Sequence, residues 1–441
     1  MESMNVKYPV EYLIEHLNSF ESPEVAVESL RKEEGIMCKN RGDLYMFKYH
    51  LGCKFDKIYH LACRGVILRK TDSGWKVLSY PFDKFFNWGE ELQPEIVNYY
   101  QTLRYASPLN EKRKAGFMFK LPMKLIEKLD GTCVVLYYDV GWKVHTLGSV
   151  DANGTIVKNG MVTTHMDKTY RELFWETIVF EKKYPPYLLY YLNPSYCYMF
   201  EMVHPDARVV VPYEEPDIIL IGVRSVDPEK GYFEVDPSEE AVRIFNESGG
   251  KINLKLPAVL SQEQNYTLFH ANRLQELFEE VTPLFKNLRD GYDVVYEGFV
   301  AVQEIAPHVY YRTKIKHPVY LEHHRIKTTI TPEKLADLFI ENKLDDFVLT
   351  SDEQETVMKL KEIYTDMRNQ LESSFDTIYK EISEQVSPEE NPGEFRKRFA
   401  LRLMDYHDKS WFFARLDGNK EKMQKSEKRL LTERIEKELF N

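Results

Sequence analysis

Long apolar runs are absent from this 441-residue sequence. No stretch approaches the roughly 20 consecutive apolar residues that a membrane helix requires, which argues against a membrane partner. The first twenty residues interleave Glu2, Lys7, Glu11, Glu15 and His16 with their apolar positions, so the uninterrupted core of a signal peptide is missing and a cytoplasmic location is expected. Cysteine is scarce. The five present, Cys38, Cys53, Cys63, Cys133 and Cys197, are an odd number with no CxxC pair. That argues against a zinc or redox motif and predicts reduced, mostly structural thiols. Positive charge is in deficit, with a net charge of −11, which excludes a protein that coats nucleic acid by neutralising phosphates over a broad surface. Any such contact must come from a local basic site. GxxxxGK[ST], GxGxxG and HExxH are all missing, so phosphate binding is not of the P-loop kind. His323 and His324 are adjacent near a presumed strand end, where neighbours face opposite ways and do not share a metal. There is no internal repeat or low-complexity tract.

What is there is length enough for two or three domains. From about residue 40 to 325, short β-rich or aromatic runs alternate with turn residues. Residues 133–138, 142–147, 209–213, 218–223 and 299–302 read as strands, and 167–182 and 267–289 as helices. The class is α+β with antiparallel sheet. Thr331-Pro332-Glu333 then reads as a helix start, with Thr331 as N-cap. Val357, Leu360, Ile363, Tyr364, Met367, Leu371, Phe375, Ile378 and Ile382 recur at intervals of three and four, marking one face of a long helix. Ser387-Pro388 and Asn391-Pro392-Gly393 break it, and the remainder is again helical. The expected division is therefore a 1–325 catalytic domain and an all-α 326–441 domain, with no obligate protein partner evident.

The informative string is EKLDGT, residues 127–132, just before a strand. Lys128 is a candidate nucleophile, Asp130 a partner for it or for a ribose hydroxyl, and Gly131 a point of close backbone approach. Alone the string is weak, since a turn into a hairpin looks the same. Its order with later pieces carries more. Glu201 follows an aromatic run, Glu297 precedes a strand, and Lys314 and Lys316 stand two apart, which on a strand aims both ammonium groups the same way. Singly, each is as well read as a solvated strand-end residue.

Together, in this order, these pieces resemble the covalent nucleotidyltransferase superfamily of ligases and capping enzymes, and within it the phage RNA ligase 1 family. CRGVIL (63–68) and PFDKFFNWGE (81–90) stand upstream of the lysine as that family's arginine and Lys-Phe-Phe-Asn segments do. The resemblance implies a ligase-type nucleotidyltransferase domain and an ATP-dependent RNA ligase using Mg²⁺ or Mn²⁺. Lys128 would carry AMP, with Asp130 and Gly131 completing its motif. Arg64, Lys84, Lys314 and Lys316 would surround the ATP phosphates, and Phe86 would match an aromatic of the Lys-Phe-Phe-Asn segment. Glu201 would hold the ribose or a metal-bound water, Glu297 the metal, and Val300 would pack on adenine. Tyr320 would line the site and serve the metal, and Asp345 and Asp346 would add a second metal contact. One departure stands out: Leu147 precedes Gly148-Ser149 where the family carries a basic residue.

The implied substrates are RNA 5′-phosphate and 3′-hydroxyl ends, single-stranded or in a nicked loop, with tRNA repair as the expected setting and the host cytoplasm as the location of a phage-encoded chain. Chemistry sets one demand. A lysine with the ordinary pKa of about 10.4 is protonated at neutral pH and cannot attack phosphorus, so a cationic, metal-bearing pocket must favour the neutral amine. A DNA ligase or capping enzyme would share Lys128, Glu201 and Glu297 but continue into a β-barrel, whereas this chain continues into helices. A non-catalytic nucleotide- or RNA-binding protein on the same fold would lack the nucleophile or carboxylates. From Glu394 to Asn441 there are 13 Lys and Arg against 9 Asp and Glu. Arg396, Lys397, Arg398, Arg402 and Trp411 there are the expected RNA-end contacts, unless this is simply a solvated helical face.

Overall fold

Strand alternation explains how the sheets stack. In the strand from Tyr196 to Val203, Tyr198, Phe200 and Met202 enter one apolar cluster, while Cys197 and Met199 enter another on the opposite face. A sheet apolar on both faces must be covered on both. The computed structural model describes residues 6–50, 53–88, 90–106, 123–153, 157–158, 161–162, 168–179, 184, 187–205, 211, 213–260, 297–317, 320, 332–340, 351–404 and 406–439. The chain divides into two units, Met1–Lys327 and Thr328–Asn441. The expected boundary at 325/326 lies outside the described residues.

In the first unit, helices α1 (Pro9–Asn18) and α2 (Pro23–Glu33) start at prolines. They precede an antiparallel meander of β1 (Ile36–Arg41), β2 (Leu44–Tyr49), β3 (Arg64–Thr71) and β4 (Gly74–Ser79). Next come β5 (Phe86–Asn87), α3 (Pro94–Ala106), β6 (Met123–Lys128), β7 (Thr132–Tyr138), β8 (Trp142–Thr146) and the small pair β9 (Val157–Lys158) and β10 (Met161–Val162). The unit continues through α4 (Tyr170–Val179), α5 (Leu188–Tyr191), β11 (Tyr196–Val203), β12 (Asp217–Ser225), β13 (Glu234–Val235), α6 (Pro237–Glu247), β14 (Val259–Leu260), β15 (Gly298–Ala306) and β16 (Val309–Lys316).

Two five-stranded sheets result. One has the order β13-β12-β11-β7-β8, and the other β14-β6-β15-β16-β5, in which only β16 and β5 run parallel. The α+β class with antiparallel sheet is therefore what the sequence predicts. The first sheet packs Val134, Leu136, Phe200 and Leu220 against Leu173 and Phe174 of α4 and Ile244 of α6. On its other face Val135, Tyr137 and Met199 meet Phe47, Val66 and Tyr80 of the meander region. Each such large side chain contributes about 1.5–3 kcal/mol by leaving water. Leu129-Asp130-Gly131 carries the chain from β6 in one sheet to β7 in the other.

Of the expected strand at 209–213 only Val211 and Tyr213 are described, and neither lies in a strand: the Val211 amide donates to Asp130 Oδ2 at 2.6 Å in place of a ladder partner, while the Tyr213 hydroxyl accepts from the Asp130 amide at 3.0 Å. The expected helix at 267–289, His323, His324, Thr331, Asp345 and Asp346 lie outside the described residues. The five cysteines are unpaired by disulfides, and all but Cys133 are buried.

The second unit is helical throughout its described residues: α7 (Pro332–Ile340), α8 (Ser351–Ser383), α9 (Pro392–Arg402), α10 (Lys409–Leu416) and α11 (Lys420–Leu439). Leu360, Ile363, Tyr364, Met367, Leu371, Phe375, Ile378 and Ile382 of α8 are all buried, as their spacing requires. Asn391 caps α9, its side chain accepting from the Glu394 amide. Trp411 corrects the expectation of an exposed stacking surface. It is fully buried, and its indole N–H donates to Glu427 Oε1 at 3.0 Å, because α10 turns this face inward among Phe375 and Phe412. Arg396, Arg398 and Arg402 are exposed and pair with Asp417, Glu394 and Glu381. No helix among the described residues is long and apolar enough to cross a membrane.

Candidate active site

The β6-to-β7 crossing puts Lys128 at the last position of β6, where its Cα partner is Gly298 at the head of β15. Gly298 in turn pairs with Lys316 of β16. Three adjacent strands thus present Lys128, Glu297 and Lys316 together. Lys128 Nζ is 2.6 Å from Glu297 Oε1, and Lys316 Nζ is 3.4 Å from the same oxygen. The side chain of Lys128 is 19% exposed while those of Glu297 and Lys316 are 5% and 1% exposed, so of the three the lysine at the sheet crossing is the one open to a reactant.

The two carboxylate oxygens of Asp130 accept from the Val211 amide and, at 2.8 Å, from the Tyr320 hydroxyl. Asp130 and Tyr320, both buried, fasten the turn that follows Lys128. Gly131 leaves room for β11: a Cβ there would lie 2.5 Å from the Met202 carbonyl oxygen. The close fit lets the Gly131 amide donate to Glu201 Oε1 at 3.1 Å.

Glu201 belongs to the odd face of β11, with Met199, and is directly opposite Cys133 of β7. Burial pushes its carboxyl up to about 8; the charge of Lys128 opposes this and that of Glu297 adds to it. The charges of Glu201, Arg64 and Lys128 are all felt at the Cys133 thiol, which desolvation raises to about 12. Residues from β3, β6, β7 and β11 therefore share one neighbourhood.

The cations divide into two groups. Lys314 and Arg64 approach the ring of Phe85, at 5.3 and 5.1 Å from its centroid. Lys84 is enclosed by Tyr49, Phe55 and Phe86, at 4.9, 5.3 and 5.4 Å. Phe86 is buried in a separate apolar cluster with Leu61 and Ile96. The ring between the site cations is thus Phe85, which sequence reasoning passed over; the alternation of Lys-Phe-Phe-Asn, with Lys84 and Phe86 sharing a side, is the signal that separates the two. Arg224 and Tyr80 both donate to Asp83 and anchor this segment. Val300 is half-buried, with Lys314 and Ile126 as cross-strand partners.

The arrangement suits a bound anion and a hard cation. Arg64 Nη1 is buried with no hydrogen-bond partner, a costly state that a phosphate oxygen would relieve. Glu201 and Glu297 offer carboxylate oxygens of the kind Mg²⁺ or Mn²⁺ takes. Among the described residues no group of three or more His, Cys, Asp or Glu could hold a metal.

Residues 62–320 match the family described as RNA ligase. An RNA ligase of Rhodothermus phage RM378 is 94% identical over 440 residues, covering 100% of each chain. RNA ligase 1 of Bacteriophage TS2126 is 28% identical over 163 residues, 37% of this chain and 34% of that one. Among solved structures, an RNA ligase of Naegleria gruberi is 16% identical with a TM-score of 0.32, the match covering 49% of this chain and about half, 54%, of that one.

Proposed function

The chain belongs to the RNA ligase family, in the branch of the phage RNA ligase 1 enzymes, and from that premise we propose that it joins RNA ends through AMP carried on Lys128. The observation that carries this reading is the Lys128 Nζ–Glu297 Oε1 contact of 2.6 Å at the meeting of the two sheets. A nucleophilic amine needs both an open face and somewhere to send its proton. Glu297 Oε1 is within reach to receive it.

The Lys128 ammonium first passes a proton to Glu297. The neutral Nζ then attacks the α-phosphorus of ATP, the P–N bond forming as the bond to pyrophosphate breaks, and the second proton the nitrogen sheds leaves with pyrophosphate. An oxygen of the RNA 5′-phosphate then attacks the adenylyl phosphorus, the P–N bond breaks and the Lys128 nitrogen takes back a proton from Glu297. Finally the RNA 3′-hydroxyl attacks the 5′-phosphorus, the phosphodiester forms and AMP leaves with the hydroxyl's proton. Each covalent transfer divides one difficult joining reaction into easier ones.

The lysines and arginine neutralise the phosphates and stabilise charge in these transfers. We assign that work to Lys314, Lys316 and Arg64, with Lys84 adding its charge from within the wall of rings. Glu201 and Glu297 would hold Mg²⁺ or Mn²⁺, which when bound supplies Lewis acidity to the phosphoryl groups. Val300 and Phe85 would border the nucleotide. Asp345, Asp346 and Tyr320 remain candidates for further metal contact; for Tyr320 the hydrogen bond to Asp130 favours a supporting part. The substrates would be 5′-phosphate and 3′-hydroxyl ends of broken single-stranded or loop RNA, tRNA among them, met in the cytoplasm of an infected host.

Incubation with Mg²⁺ and ATP labelled at the α-phosphate tests this: the chain takes up label, and with label at the γ-phosphate it takes up none. A chain that stays unlabelled by α-labelled ATP refutes the proposal.

A further inference from the structure

Two cations face each other across the ladder of β2 and β3. Lys48 and Arg64 are direct Cα partners, at a bulge where Gly65 is the extra residue, with φ +89°. Direct partners in an antiparallel pair project from the same face of the sheet, where like charges repel. Arg64 Nη1 is buried without a partner, a costly state that an anion drawn to both cations would relieve.

The turn after β8 completes the enclosure. A Cβ on Gly148 would come within 3.3 Å of Lys48 Nζ, so the ammonium lies against the turn. A Cβ on Gly65 would meet Leu147 Cα at 3.0 Å, so the bulge and the turn are in contact. Leu147 itself brings no charge and packs, half-buried, against the apolar cluster of the meander. Position 147 of the turn is thus apolar, and the cations at the turn come from the meander: Lys39 of β1, whose Nζ donates to the Gly148 carbonyl at 2.6 Å, and Lys48 of β2.

We propose that Lys48, together with Arg64, binds the pyrophosphate portion of the nucleoside triphosphate, supplying from β2 the charge that Leu147 does not. This rests on the ATP-dependent ligase reading above. Arg64 connects the pair to the nucleophile, since it borders Phe85 beside Lys314 and its charge acts at Cys133 together with that of Lys128. A triphosphate whose α-phosphorus meets Lys128 would extend its leaving group toward β3 and β2. Lys48 is then a binding residue for the leaving group.

Calorimetric titration of inorganic pyrophosphate and of AMP into the full chain, beside the ATP dependence of AMP attachment, tests the assignment. Lys48→Met should weaken pyrophosphate binding about tenfold and raise KM for ATP similarly, with kcat within about threefold. AMP affinity should be unchanged, and Lys48→Arg should behave nearly as the unaltered chain. Equal pyrophosphate affinity in Lys48→Met and the unaltered chain, or no pyrophosphate binding at all, overturns the proposal. So does a loss of AMP affinity as large as the loss for pyrophosphate, which would mean general damage to the site. A chain that binds pyrophosphate through Lys48 yet never takes up AMP would keep this anion site and refute the ligase reading instead.

Discussion

Glu297 Oε1 lies 2.6 Å from Lys128 Nζ, and the backbone fixes that contact before the side chains do. Gly298, next to Glu297, is the Cα partner of Lys128 on one side and of Lys316 on the other. Its φ of +139° and the 2.1 Å approach that a Cβ would make to the Ile315 carbonyl oxygen admit no side chain there.

Glu297→Gln keeps the shape and removes the anion between two ammonium groups. AMP attachment should fall at least about tenfold. The melting temperature should fall too, because Lys316, almost fully buried, loses its counter-charge. Labelling kinetics and thermal unfolding check both. Unchanged labelling would remove Glu297 from the chemistry.

Glu201 should show the opposite sign. Its folded-state carboxyl is raised to about 8 by burial, opposed by the Lys128 charge and reinforced by Glu297. A carboxyl raised on folding binds its proton more tightly folded than unfolded. Its contribution to stability is therefore full below pH about 4 and is lost as pH rises toward about 8. Glu201→Gln, which cannot ionise, should gain melting temperature over the unaltered chain progressively across that window. In the unaltered chain, AMP attachment should rise with pH through the same range as the carboxylate becomes available for metal. A melting difference that does not vary between pH 4 and 8 would contradict this account of Glu201.

Gly131→Ala tests the fit of the turn against β11. The new methyl would stand 2.5 Å from the Met202 carbonyl oxygen, which cannot move without shifting β11, and 3.1 Å from Glu201 Cγ, which would be pushed aside. Stability should drop by about 1–3 kcal/mol, as overpacking usually costs. AMP attachment should drop with it, since Glu201 is displaced. Full activity in Gly131→Ala would show that the turn yields more easily than its packing suggests.

Much of this was legible in the sequence where a local rule governs. Strand alternation located β7, β8, β12 and β15, three-and-four spacing located α8, and the order of the motifs brought Lys128, Glu201, Glu297 and Lys316 to one neighbourhood. What escaped depends on contacts far apart in the chain. Val209–Tyr213 has strand composition, yet Val211 and Tyr213 bind Asp130 from about eighty positions away. Trp411 has the chemistry of a stacking surface but is consumed by the helical core. Phe85 and Phe86 are indistinguishable by composition, and only the side each takes beside Lys84 separates them.

The helical unit should be dispensable for the first chemical step. The described residues assigned to AMP attachment lie in Met1–Lys327, so a chain ending at Lys327 should still label itself with AMP. It should lose preference for structured RNA, because the exposed Arg396, Arg398 and Arg402 of α9 go with the second unit. Competition between structured and unstructured RNA ends measures this. Joining of both at the rate of the full chain would assign the helices another purpose.

The central claim is that Lys128 carries AMP, and peptide mapping of the labelled chain tests it most directly. After incubation with ATP and Mg²⁺, mass spectrometry of the digest should find one adenylyl group on the peptide containing Lys128. Lys128→Ala, and Lys128→Arg with its permanently protonated guanidinium, should carry none. An adenylyl group on any other residue, or label retained in either variant, would contradict the account.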